Sequence, residues 1–76
     1  VTLPWSLRAA TRVRVEIADV SGRHVRALLD AVQPAGEGAT TWDGRDDRGA
    51  RVRPGVYLVR FEADGARHER RIVWIE

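Results

Sequence analysis

The segment Trp42-Asp43-Gly44-Arg45-Asp46-Asp47-Arg48-Gly49, with Pro54-Gly55-Val56-Tyr57-Leu58-Val59-Arg60-Phe61 close behind it, constrains the fold of this chain more than any other stretch. A strand end led by tryptophan meets an acidic turn bounded by glycines. A basic bridge then leads into a strand that alternates apolar and charged residues. Gly44 and Gly49 supply the positive φ that tight turns require, and aspartates there accept N–H bonds from residues just beyond them. This is the grammar of a β-hairpin, and it predicts antiparallel β-structure.

Period-two alternation recurs along the chain, and helical spacing is nearly absent. Val1, Leu3, Trp5 and Leu7 fall on one side of a first strand, opposite Thr2, Pro4 and Ser6. Pro4 has no N–H to give to a ladder, so this strand is expected at an edge or irregular. Arg12 to Ile17 is the cleanest half-buried strand, with Val13, Val15 and Ile17 inward. Ser21-Gly22 marks a turn that Asp19 can cap. His24 to Leu29 reads as a strand, because so short a helix would be marginal in isolation.

Pro34 to Gly38 has loop composition, and Ala39 to Asp43 reads as a short strand. Tyr57, Val59 and Phe61 share one face of the next strand, with Arg60 and Glu62 opposite. Asp64-Gly65 is a two-residue hairpin signal. The last strand, Arg67 to Ile75, ends in Ile72-Val73-Trp74-Ile75, apolar on both faces. The expected class is all-β: a small antiparallel immunoglobulin- or fibronectin-III-like β-sandwich of about six to seven strands, in one domain spanning 1–76.

A chain of 76 residues has room for one small domain, burying roughly 60% of the surface its unfolded form exposes. There is no cysteine, so neither a disulfide framework nor a thiolate metal site is available. No run of about eighteen apolar residues is present, and no membrane span is expected. The chain opens on Val1 and lacks methionine, which leads to the expectation that it is a processed or excised piece of a larger protein. All 13 basic residues are arginine, yet the net charge is only +2. Most of these arginines alternate with apolar residues, as on solvated strand faces, and not in the basic stripe of a nucleic-acid binder.

Candidate chemistry is sparse. Asp43, Asp46 and Asp47 cluster around glycine, as calcium ligands do, but the spacing departs from an EF-hand loop and two arginines compete for the carboxylates. An Asx-type turn is the favoured reading. His24 and His68 lie in arginine-rich strands with no further ligand at a recognisable spacing, so no metal or other cofactor is expected. Ser6 and Ser21 lack a nucleophile elbow, and catalysis is not expected. Trp5, Trp42 and Trp74 form either a carbohydrate-stacking platform or core, and core is favoured for Trp42.

The turn Asp19-Val20-Ser21-Gly22-Arg23, then Pro34-Ala35-Gly36, Trp42 to Gly49, Pro54-Gly55-Val56-Tyr57 and Arg70-Arg71-Ile72-Val73 follow one another in order. This succession resembles the FlgD-type immunoglobulin-like domain, found in the flagellar hook-capping protein and at the C-termini of many secreted bacterial proteins. It is also similar to the C-terminal sorting domain of the type IX secretion pathway. Lysine-flanked terminal strands are usual there, and Arg70, Arg71 and Glu76 stand in those places here. The resemblance implies the fold and a secreted or cell-surface setting, and it brings no catalytic residues.

The expected function is therefore that of a non-catalytic accessory module acting in secretion sorting, surface attachment or assembly. A fibre or hook-cap subunit and a carbohydrate-binding module are the alternatives. Expected partners are secretion or surface-assembly proteins, or like subunits joined through edge strands. Residues 70 to 76, above all Arg70, Arg71, Ile72, Val73, Trp74 and Ile75, are the expected interaction segment, because a strand apolar on both sides has a face to spare.

Overall fold

A computed structural model describes residues 1–75. Its six strands are β1 (Thr2–Leu7), β2 (Thr11–Asp19), β3 (His24–Gln33), β4 (Gly36–Thr41), β5 (Gly55–Ala63) and β6 (Ala66–Trp74). β1 and β4 form a two-stranded sheet, and the other four pair in the order β3-β2-β5-β6. Every pairing is antiparallel. The expected all-β sandwich is present.

Alternation dictates which side chains meet between the sheets. Val13, Val15 and Ile17 of β2 are sealed from solvent beside Tyr57 and Val59 of β5, and Leu3 closes over them from β1. Burying a side chain of this kind stabilises the fold by about 1.5–3 kcal/mol. Trp42, fully buried, is the largest member of this core and packs edge-on to Tyr57 with ring centroids 5.2 Å apart. β3 follows β2 with two register shifts, between Val15 and Glu16 and between Ile17 and Ala18. The bulges add Leu28 and Val25 to β3, and both pack against the core. Asp64 (φ 51°) and Gly65 (φ 75°) make the tight turn between β5 and β6 that their sequence predicts.

Pro4 stands where its missing N–H costs nothing. Val1 and Trp42 exchange both backbone hydrogen bonds, so by alternation Leu3, Trp5 and Leu7 bond to β4 while Thr2, Pro4 and Ser6 point away from it. The proline thus sits on the free side of an edge strand.

Two expectations are corrected. β4 begins at Gly36 and ends at Thr41, so glycines that read as loop lie within the strand and Trp42 lies beyond it. Gly38 leaves room there for the Trp5 indole across the sheet, since a Cβ would fall 2.6 Å from it. The acidic segment also does not join a hairpin, since β4 pairs with β1 and β5 pairs with β2 and β6. Residues 42–54 instead cross from one sheet to the other. Turn chemistry is local, whereas the partner of each flanking strand is set by burial against distant residues.

Candidate functional site

The crossover is built as a chain of Asx turns. Asp43 Oδ1 accepts the Arg45 N–H at 3.2 Å, and Asp46 Oδ1 accepts those of Arg48 and Ala50 at 2.9 and 3.0 Å. Gly44 and Gly49 have φ of 77° and 84°. Trp42 anchors the segment by donating its indole N–H to the Arg45 carbonyl at 2.9 Å. Asp47 reaches furthest: its N–H donates to Val25 O at 3.0 Å and its Oδ1 accepts the Ala27 N–H at 2.8 Å. One aspartate thus covers the outer edge of β3 as a short strand would.

In this arrangement the acidic residues serve backbone donors. Each carboxylate of Asp43, Asp46 and Asp47 is turned to a different set of backbone donors. Among the described residues no group of three or more His, Cys, Asp or Glu side chains could hold a metal ion. The hydrogen bond from Ala27, followed by that from His24, lowers the Asp47 pKa from the usual carboxylate value. His24, exposed at the start of β3, lies between Asp47 (2.7 Å) and Glu16 (3.5 Å). Sequence spacing gave no sign of this, because its two partners come from different elements. Arg26 completes the junction, extending its guanidinium to the Arg45 carbonyl at 3.2 Å.

Asp19 organises the turn after β2. Its Oδ1 accepts from the Ser21 hydroxyl (2.6 Å) and from the N–H groups of Ser21 and Arg23. The Ser21 bond, then that from Arg23, lowers its pKa.

The terminal strand divides by face. Ile72 and Trp74 point inward against the core, while Val73 (64% exposed) and Ile75 (75% exposed) point out. Trp74 packs on Trp42 with centroids 5.1 Å apart and covers Gly44. Its indole N–H is buried without an acceptor, so packing alone holds the ring. Glu76 lies outside the described residues. On the outer face Val56 is registered against Val73, and Leu58 against Arg71.

On the side of β1 away from β4, a cleft of about 450 Å³ opens between β1 and β6. Trp5, Phe61, His68, Glu69 and Arg70 line it. The Trp5 and Phe61 rings lie 5.9 Å apart, and His68 stands 6.5 Å from Phe61. The cleft exists because two strands face four, so the inner side of β6 is uncovered at His68 and Arg70.

Comparison with known proteins bears directly on this framework. The family profile described as "FlgD Ig-like domain" matches residues 5–67. The chain belongs to the FlgD Ig-like domain family. A crystal structure of FLGD from P. aeruginosa superposes with a TM-score of 0.67 at 26% sequence identity, covering 90% of this chain and 54% of that one. The present chain therefore spans about half the length of that FlgD chain. No curated protein matches it.

FlgD-type domains form a structural, non-enzymatic family. The turn at Asp19, the crossover from Trp42 to Gly49 and the Pro54-Gly55-Val56-Tyr57 step all fall within the family match. Each of these segments closes backbone hydrogen bonds or fills the core. Tyr57 belongs to this set, since its hydroxyl donates to the Arg53 carbonyl and burial raises its pKa.

Proposed function

We propose that this domain is a non-catalytic assembly module of an exported bacterial protein, of the kind that scaffolds a hook cap. The observation that carries the reading is the FlgD family match over residues 5–67, reinforced by the 0.67 TM-score to FLGD. Its setting on this reading is extracytoplasmic, as the C-terminal part of a longer chain. Its partners are surface-assembly proteins or like subunits, engaged through strand edges and sheet faces.

A second reading, sorting by the secretion machinery in the manner of type IX C-terminal domains, is favoured by the outward Val73 and Ile75. Against it, Ile72 and Trp74 of the same strand are committed to the core, which leaves only alternate side chains for a receptor.

In-frame removal of residues 1–76 from the parent protein separates the two. The assembly reading predicts that the truncated parent is still exported but no longer joins its partner structure. Loss of export, with a reporter bearing residues 1–76 exported on its own, identifies sorting instead. Unimpaired assembly contradicts the proposal.

A further inference from the structure

We propose that the free edge of β1 receives an extended segment of another polypeptide, which adds as a third strand and closes the cleft against β6. The inference rests on the assembly reading and names the surface that would serve it. Three observations converge. Thr2 and Ser6 direct both backbone groups, and Pro4 its carbonyl, away from β4. The cleft beside them has an apolar floor of Leu3, Trp5, Val59 and Phe61. Arg70, on its far wall, forms no ion pair among the described residues.

Both edges of the four-stranded sheet, β3 and β6, carry guards. Asp47 covers β3 at Val25 and Ala27. On β6 the residues whose peptide groups point outward include Arg67, Glu69 and Arg71, and charges at such positions discourage pairing. β1 has only Pro4 as a guard, and that proline still offers an acceptor.

These features define the occupant. It is extended, with apolar side chains at alternate positions to meet Trp5 and Phe61, and with a carboxylate opposite Arg70 to neutralise a cation that it would otherwise bury unpaired. It also supplies an N–H to the Pro4 carbonyl. A second copy of β1 fits poorly there, because a two-fold pairing centred on Pro4 sets two residues without N–H opposite each other.

The test begins with a random peptide library displayed on phage and selected on the 76-residue chain. Selected peptides are expected to alternate apolar residues and to carry an acidic one. At saturation the amide exchange of Thr2 and Ser6 should slow by about tenfold or more as those groups become hydrogen-bonded. Ser6→Pro removes one outward N–H at an edge position that tolerates proline, and should weaken binding by about tenfold. Arg70→Glu, on an exposed wall, should shift the preference from acidic to basic peptides and keeps the test open if Ser6→Pro folds poorly.

The proposal is overturned if no peptide is enriched over the variants, or if selected peptides leave Thr2 and Ser6 exchange unchanged. Protection of those amides that rises with protein concentration alone assigns the edge to a second copy and also overturns it. So does cellohexaose that shifts Trp5 fluorescence without protecting them. Any of these outcomes leaves the parent-deletion result standing, so the surface and the assembly role fail separately.

Discussion

Trp74 lies so close on the backbone of Gly44 that a Cβ added to that glycine would sit 2.0 Å from the Trp74 Cζ2 atom. The contact joins the last strand to the crossover, and through Trp42 it reaches the core. Gly44→Ala would incur about 1–2 kcal/mol for a left-handed backbone and about 1–3 kcal/mol more for overpacking. Trp74→Ala should cost about 3 kcal/mol, the low end for a large aromatic, because the ring is only half-buried. In the Trp74→Ala background Gly44→Ala should lose its overpacking part, a non-additivity that urea denaturation of all four proteins would measure. Strict additivity would contradict the contact.

Gly38 offers a graded comparison. A Cβ there meets Trp5 at 2.6 Å, but Trp5 borders the open cleft and has room to swing. Gly38→Ala should therefore cost only about 1 kcal/mol, at the low end of overpacking, while moving Trp5 into water. A red shift of tryptophan emission with a nearly unchanged denaturation midpoint is the expected result. A loss as large as that for Gly44→Ala would show that Trp5 is clamped.

Strands whose alternation is set by their own residues were legible in the sequence. Val13, Val15, Ile17, Tyr57 and Val59 face the core as their spacing predicts, and the Asp64-Gly65 turn forms where its residue types place it. Gly36 to Gly38 looked like loop because glycine has low strand propensity, and only the Trp5 ring lying over Gly38 explains its use in β4. The crossover reads as a hairpin turn because hairpin and crossover share the same Asx chemistry, and the choice between them depends on sheet pairings far away in sequence. The cleft had no local signal at all, for it arises from two sheets of unequal width.

Stability should fall in acid. The pKa values of Asp19, Asp30 and Asp47 are all lowered in the folded protein, chiefly by hydrogen bonds from Ser21, Arg12 and Ala27 respectively. A carboxylate whose folded pKa lies below its unfolded value, about 3.9 for aspartate, binds more protons when unfolded in that range. The stability it contributes is fully present above the unfolded pKa and is lost as pH falls through the folded one. Thermal denaturation should show a flat midpoint from neutrality down to about pH 5 and a steep decline below about pH 4. Asp19→Asn, Asp30→Asn or Asp47→Asn should each shallow that decline, and an unchanged slope in all three would contradict the assignment.

The proposed docking of another chain along β1 is open to a direct test. The most direct measurement places a photo-crosslinking side chain singly at Ser6, Val32 or Val73 in the parent protein within its native assembly. An adduct with a second, different polypeptide is expected from Ser6 and none from Val32, which is exposed on β3. An adduct from Val73 with none from Ser6 would contradict it and return the function to the terminal strand.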